Sequence, residues 1–300
     1  MLTIIMEQTT QKAYAKINIG LDVLRRREDG YHEVRMIMQT VDICDELLLE
    51  KTDQPGIVLQ TDCEGLPVDG SNLICRAADL LFQEKGITGG VKITLTKRIP
   101  VAAGMAGGSS DAAAAMRGLN ELFEMGYSIR ELQELGVRLG ADIPYCLTGG
   151  TMLSEGIGEI LSPLPAPPAC CLVVAKPDID VSTGFVYGNL YADQLTQHPD
   201  IDGMIEALTN GNLKGITDRL GNVLETVTVR EYPVIETIKQ LLRDEGAENA
   251  LMSGSGPTVF GIFTQEDKAR AAAQAMAQQG LARQIFVTGF QNETGYQAVG

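Results

Sequence analysis

The stretch from Pro100 to Ala115 constrains this chain more than any other, because a glycine-rich loop there runs directly into an alanine-rich segment. Ahead of it, Val91, Ile93 and Leu95 alternate with Lys92, Thr94 and Thr96, the period-two pattern of a half-buried strand. Behind it, Ala112 to Ala115 have the highest helix propensity. Met116, Leu119, Leu122 and Phe123 continue at helical spacing, and Gly126 is the expected stop. Ser109, Ser110 and Asp111 are the N-cap candidates. A strand, a loop with Gly104, Gly107 and Gly108, and a helix start gather unpaired backbone N–H groups and the positive end of a helix dipole at one point. Such a point suits a phosphate; the alternative is a tight strand-to-helix connection.

Two better-known phosphate loops are excluded. A dinucleotide fingerprint needs a glycine where Ala106 stands, and no Gly-Lys-[Ser/Thr] follows to make a Walker A motif. Ala106 is expected to avoid the positive φ that a glycine tolerates.

The chain of 300 residues, 44% of them hydrophobic, is long enough for one large or two ordinary domains, each with its own core. With 39 acidic against 24 basic residues the net charge is −15, a field that repels nucleic acid and anionic membrane. An anionic substrate must therefore be met by local cations. Met1 to Met6 is too short for a signal-peptide core and no run approaches a membrane span, so the cytoplasm is the expected location. The six cysteines form no Cys-x-x-Cys pair and read as reduced core residues, Cys170 and Cys171 opening an apolar strand. Only His32 and His198 are available as imidazoles, and no zinc spacing occurs.

From Ala13 to Val23 the chain alternates, with Ala13, Ala15, Ile17, Ile19 and Leu21 on one face and Lys16, Asn18 and Asp22 on the other. Lys16 is read either as a site residue or as a solvated lysine on an edge strand. Asp29-Gly30 after three arginines is a hairpin turn, followed by Tyr31-His32. That turn is either a solvated charged loop or a holder of a planar base, by stacking and hydrogen bonding. Strands are expected at 45–50 and 57–60, a helix starting at Ser71-Asn72, and a further helix over Ile129 to Leu139 that ends at Gly140. Asp142 beyond it reads as a turn or capping carboxylate. Four prolines between Pro163 and Pro168 mark a linker. The second half opens with a strand at 170–175. Helices are expected near 182–194, 201–208, 233–244 and 266–279, a second glycine loop at Ser253 to Gly256, and a strand at 283–289.

The loop from Pro100 through Gly104 to Ser110 resembles the ATP loop of the GHMP kinases, with Met105 for the usual Leu and Ala106 for the second Gly, and Ser253 to Gly256 resembles the third motif of that family. Ala15-Lys16-Ile17-Asn18, Asp29-Gly30-Tyr31-His32, Ser71-Asn72, Leu139 to Asp142 and Glu155 to Glu159 extend the likeness over both halves. The resemblance implies an α+β fold of two-domain GHMP kinase architecture. Residues 1–162 would form a ribosomal protein S5 domain 2-like N-terminal domain with a left-handed crossover, and residues 169–300 a ferredoxin-like C-terminal domain.

It further implies an ATP-dependent small-molecule kinase using Mg²⁺. Asn72, Lys97, Pro100, Val101, Ala102, Ala103, Gly104, Met105, Ala106, Gly107, Gly108, Ser109 and Ser110 would bind ATP, and the Ser110 hydroxyl would be a metal ligand. Lys16 and Asp142 would be the catalytic pair, the carboxylate accepting the hydroxyl proton and the ammonium steadying the γ-phosphate. Asn18, Tyr31, His32, Thr183 and Tyr187 would hold the substrate, with Phe185 as the alternative second stacking aromatic. The Asp29 to His32 turn points to a cytidine diphosphate sugar-alcohol phosphorylated on its 2-hydroxyl. Homoserine or mevalonate phosphorylation, or a non-catalytic nucleotide-binding regulator, are the rival readings. No nucleic acid or membrane partner is expected, for a monomer or weak homodimer.

Overall fold

The computed structural model of the chain describes residues 7–292; the Met1 to Met6 run and residues 293–300 lie outside the described residues. Strands β1 (Gln8–Arg26) and β2 (His32–Thr52) form a long antiparallel hairpin, closed by a turn in which Gly30 takes a φ of 88°. β3 (Gly56–Thr61) leads to α1 (Leu73–Lys85), whose first turn is capped by Asn72 accepting the Ile74 N–H at 2.9 Å. β4 (Gly90–Thr96) then lies between β3, which it pairs in parallel, and β2. α2 (Gly107–Leu122), α3 (Ile129–Gly136) and α4 (Ile143–Thr148) follow, and β5 (Thr151–Glu155) with β6 (Ile160–Pro163) returns to β2.

Residues 164–170 have no regular structure, and the second half begins with β7 (Cys171–Lys176). It continues through α5 (Thr183–Gly188), α6 (Ile201–Thr209), α7 (Leu213–Thr217), β8 (Gly221–Asn222), α8 (Glu225–Glu231) and α9 (Val234–Asp244). It closes with β9 (Asn249–Met252), β10 (Val259–Phe263), α10 (Glu266–Gln278) and β11 (Gln284–Thr288). These strands pair antiparallel in the order β11-β7-β10-β9, with helices inserted before β9 and β11, the arrangement expected of a ferredoxin-like half. The short β8 instead pairs in parallel with β1, so the second half contributes a strand to the first sheet.

This arrangement buries the hairpin on both sides. Ala13, Leu21 and Val23 belong to the core under α1 and α2, whereas Ala15, Ile17 and Ile19 pack with Ile201, Met204, Leu172 and Phe260 from the second half. The regular alternation expected from Ala13 to Leu21 is therefore interrupted. Register shifts between Tyr14 and Lys16 and between Asn18 and Gly20 move the middle of the strand to the opposite face, because each irregularity offsets the period of two. Lys16, Asn18 and Asp22 are buried, which excludes the solvated edge lysine.

Other local expectations shift as well. α2 starts at Gly107, so Ser109 to Asp111 lie inside its first turns, and it ends at Leu122 with Glu124 at a φ of 49°, before Gly126 is reached. α3 stops at Gly136, four positions short of Gly140. Of the six free cysteines only Cys75 and Cys146 are fully buried, and burial pushes the Cys170 thiol up to about 12. Among the described residues no helix is long and apolar enough to cross a membrane.

Candidate active site

The loop between β4 and α2 is held by backbone contacts on two sides. The Lys16 N–H donates to the Met105 carbonyl at 3.2 Å, and the Ser253 hydroxyl donates to the Gly104 carbonyl at 3.0 Å. Ala102, Gly104 and Ala106 take φ values of 50°, 69° and 56°, so every second residue is left-handed. That alternation aims successive N–H groups into a concavity suited to an anion. It also corrects the expectation for Ala106, which occupies the left-handed region as the N-cap of α2 without a side-chain cap bond. An alanine there costs about 1–2 kcal/mol in backbone strain. Ala106→Gly is thus expected to raise stability by up to about 1 kcal/mol once the added freedom of the unfolded chain is subtracted, measurable by urea unfolding. Gly104 could not be replaced in the same way, since a Cβ there would lie 2.3 Å from the Ser253 carbonyl oxygen.

This loop forms one wall of a cavity of about 900 Å³. The volume is at the upper end of the roughly 300–1,000 Å³ of ligand pockets, as a site for two substrates requires. At the loop end, Lys16 Nζ donates to Asn18 Oδ1 at 2.6 Å, and both side chains line the cavity. Asp142 faces the same space from the N-terminus of α4. It occupies the N-cap position yet has helical φ and ψ of −81° and −15° and makes no cap bond. A capping side chain needs an extended backbone to reach the amides of the first turn. The Asp142 carboxylate is left facing the cavity, and no ion pair within 4.0 Å joins it to Lys16 among the described residues.

At the other end the hairpin turn brings Tyr31 and His32 to the cavity, Tyr31 with 59% of its surface exposed. The His32 ring lies 5.1 Å from that of Tyr187 on α5, and both line the pocket. Phe185 is exposed and does not line the cavity, so Tyr187 is the second aromatic at this end. Burial and then the nearby Arg26 guanidinium lower the His32 pKa, which keeps the ring neutral with one nitrogen donating and the other accepting. Thr183 is tied through its hydroxyl to Ser255 at 2.9 Å, linking α5 to the second glycine loop.

Lys97 lines the cavity against Gly107 but is enclosed by two carboxylates, Asp45 and Asp111, the latter at 2.7 Å. Burial pulls its ammonium down, but the two carboxylates outweigh this and hold it above the usual lysine value. Burial pushes the Asp111 carboxyl well above its usual range, against the pull of Lys97. Asp45 also accepts the backbone N–H groups of Arg98 and Ile99, so it anchors the chain as it leaves β4. Sequence reasoning missed Asp45 and read Asp111 only as a capping candidate. The available signal for Asp45 was an acidic residue in the alternating phase of Leu47 and Leu49.

All the other site residues singled out in the sequence line the cavity, but the Met105 and Ser110 side chains do not. Met105 plugs the core between the halves, and the Ser110 hydroxyl donates to the Tyr14 carbonyl at 2.6 Å. The Ser110 hydroxyl, expected as a metal ligand, is buried with its proton committed to the backbone.

Residues 72–150 match the family of GHMP kinases N terminal domains, and residues 200–282 match the GHMP kinases C terminal family. A 4-diphosphocytidyl-2-C-methyl-D-erythritol kinase from Lachnospira eligens is 50% identical over 94% of this chain and 98% of its own length. One of the same name from Lachnoclostridium phytofermentans is 50% identical over 95% and 98%. Among solved structures, a 4-(cytidine 5'-diphospho)-2C-methyl-D-erythritol kinase superposes with a TM-score of 0.80 at 34% identity, covering 94% of this chain and 99% of that one. A homoserine kinase from Cytophaga hutchinsonii, at 21% identity and a TM-score of 0.74, shares the fold.

Proposed function

The chain belongs to the GHMP kinase family, and from that premise we propose that it transfers the γ-phosphate of ATP to the 2-hydroxyl of 4-diphosphocytidyl-2-C-methyl-D-erythritol, a step of the non-mevalonate isoprenoid route. One observation carries this reading: a single cavity joins the anion cradle at the start of α2, the Lys16 and Asp142 side chains, and the His32–Tyr187 pair.

Phosphoryl transfer depends mostly on positioning and on stabilising charge over the transferred group. The cradle amides hold the triphosphate without needing a basic loop. Asp142, whose carboxylate makes no cap bond, accepts the proton of the attacking hydroxyl, and Lys16, oriented by Asn18, stabilises charge on the γ-phosphate. At the far end neutral His32 offers a donor and an acceptor to the cytosine edge while Tyr31 and Tyr187 offer aromatic faces. Mg²⁺ would neutralise charge between the β- and γ-phosphates. The oxygens beside the loop that fit such a cation are the carboxylates of Asp142 and Asp111, whose Oδ1 has no hydrogen-bond partner.

The test is ATP consumption measured in parallel with 4-diphosphocytidyl-2-C-methyl-D-erythritol, homoserine and mevalonate. Turnover of the cytidyl compound alone is expected. Preference for either of the others would overturn the substrate, and absence of turnover with all three would favour a regulator.

A further inference from the structure

Three consecutive arginines lead into the β1–β2 turn, and the structure separates them by role. Arg25 pairs with Glu33 at 2.5 Å, and Arg27, just beyond the end of β1, pairs with Asp29 at 2.9 Å. Arg26 lies directly across the ladder from His32 and lines the cavity. It has no carboxylate within 4.0 Å among the described residues.

In a chain of net charge −15 an anionic substrate must be met by groups fixed in the site, and away from the loop amides these are cations. The lysines and arginines that line the cavity are Lys16, Arg26 and Lys97. Lys97 is enclosed by Asp45 and Asp111, and Lys16 sits at the phosphate loop, its own N–H bonded to Met105. Arg26 is the cation beside the base-holding end, close enough to His32 to depress its protonation. A nucleoside's phosphates begin one ribose away from its base, and a guanidinium fork matches phosphate oxygens in a way a lysine does not.

We propose that Arg26 is a substrate-binding residue that grips the diphosphate of a cytidine diphosphate ligand. This rests on the cytidyl reading above and adds the group that recognises the phosphates rather than the base.

The experiment measures cytidine and CDP affinities by calorimetry, with the ATP loop saturated by a non-hydrolysable ATP analogue, for the wild type, Arg26→Gln and Arg26→Lys. For Arg26→Gln, CDP affinity should fall about tenfold, the scale of one charge-assisted hydrogen bond at a partly exposed site, while cytidine affinity stays within about twofold. Arg26→Lys should recover part of the loss, and CDP affinity should weaken with added salt more steeply in the wild type than in Arg26→Gln. Equal losses for cytidine and CDP would mean that Arg26 only shapes the hairpin and would overturn the proposal, as would an unchanged CDP affinity. A wild-type protein that binds neither ligand would overturn the cytidyl reading itself and this proposal with it.

Discussion

Asp142→Asn is expected to lower kcat by about 10²–10⁴-fold, the contribution of a positioned general base, with ATP affinity and thermal stability close to wild type. The first half of that expectation follows from where the carboxylate points. Asp142 stands at the head of α4 with a helical backbone, so its side chain cannot reach the amides it would otherwise cap, and it faces the cavity shared with Lys16. The second half follows from the same geometry. An asparagine caps a helix about as well as an aspartate does, and here there is no cap bond to lose. The measurement pairs steady-state kinetics with an ATP dissociation constant and a melting curve. A variant with near wild-type kcat would remove Asp142 from the chemistry, and a large fall in melting temperature would show that the carboxylate carries a structural duty instead.

Lys97→Met is expected to destabilise the protein by about 3–5 kcal/mol, because it leaves two buried carboxylates without their counter-charge. The side chains of Asp45 and Asp111 are 0% and 4% exposed, and that of Lys97 is 7% exposed. Asp45 has a second duty, bonding the backbone N–H groups of Arg98 and Ile99, so repulsion inside the cluster also loosens the entry to the phosphate loop. Asp111→Asn should cost far less, since Lys97 keeps Asp45. Acidity gives the sign check. Asp111 already has a raised pKa in the folded state, so its contribution to stability is fully present below the unfolded carboxylate value and is lost as pH rises through the folded one. The deficit of Lys97→Met should therefore shrink as pH falls into the carboxylate range. Urea unfolding at neutral and mildly acid pH measures both quantities. A loss under about 1 kcal/mol, or one that grows on acidification, would show that the cluster contributes little to folding.

Much of the site was legible locally. The alternation before the loop, the alanines after it, the Asp29-Gly30 turn and the Asn72 cap each depend on residues within a few positions, and each element formed where its pattern indicated. Departures from expectation occurred where distant segments intervene. Lys16 would suit a solvated edge strand, but β1 lies between β2 and β8, and at Lys16 the glycine loop docks through Met105, so a lysine that local pattern leaves open is buried. Ala106 would avoid a left-handed backbone, but the loop is held at Gly104 by Ser253 and at Met105 by Lys16, and these contacts impose the conformation.

Local sequence sets the elements, the glycine loop and the Asp29-Gly30 turn, because secondary-structure propensity and turn chemistry act over a few residues. Only the tertiary structure decided which of them meet. Lys16, Asp142 and Tyr187 face one cavity because the second half packs against the β1–β2 hairpin of the first sheet, and Lys97 is bound to Asp45 rather than free because β4 pairs with β2. Contacts across such separations are set by packing and by the need to pair buried charge, and no local period in the chain encodes them.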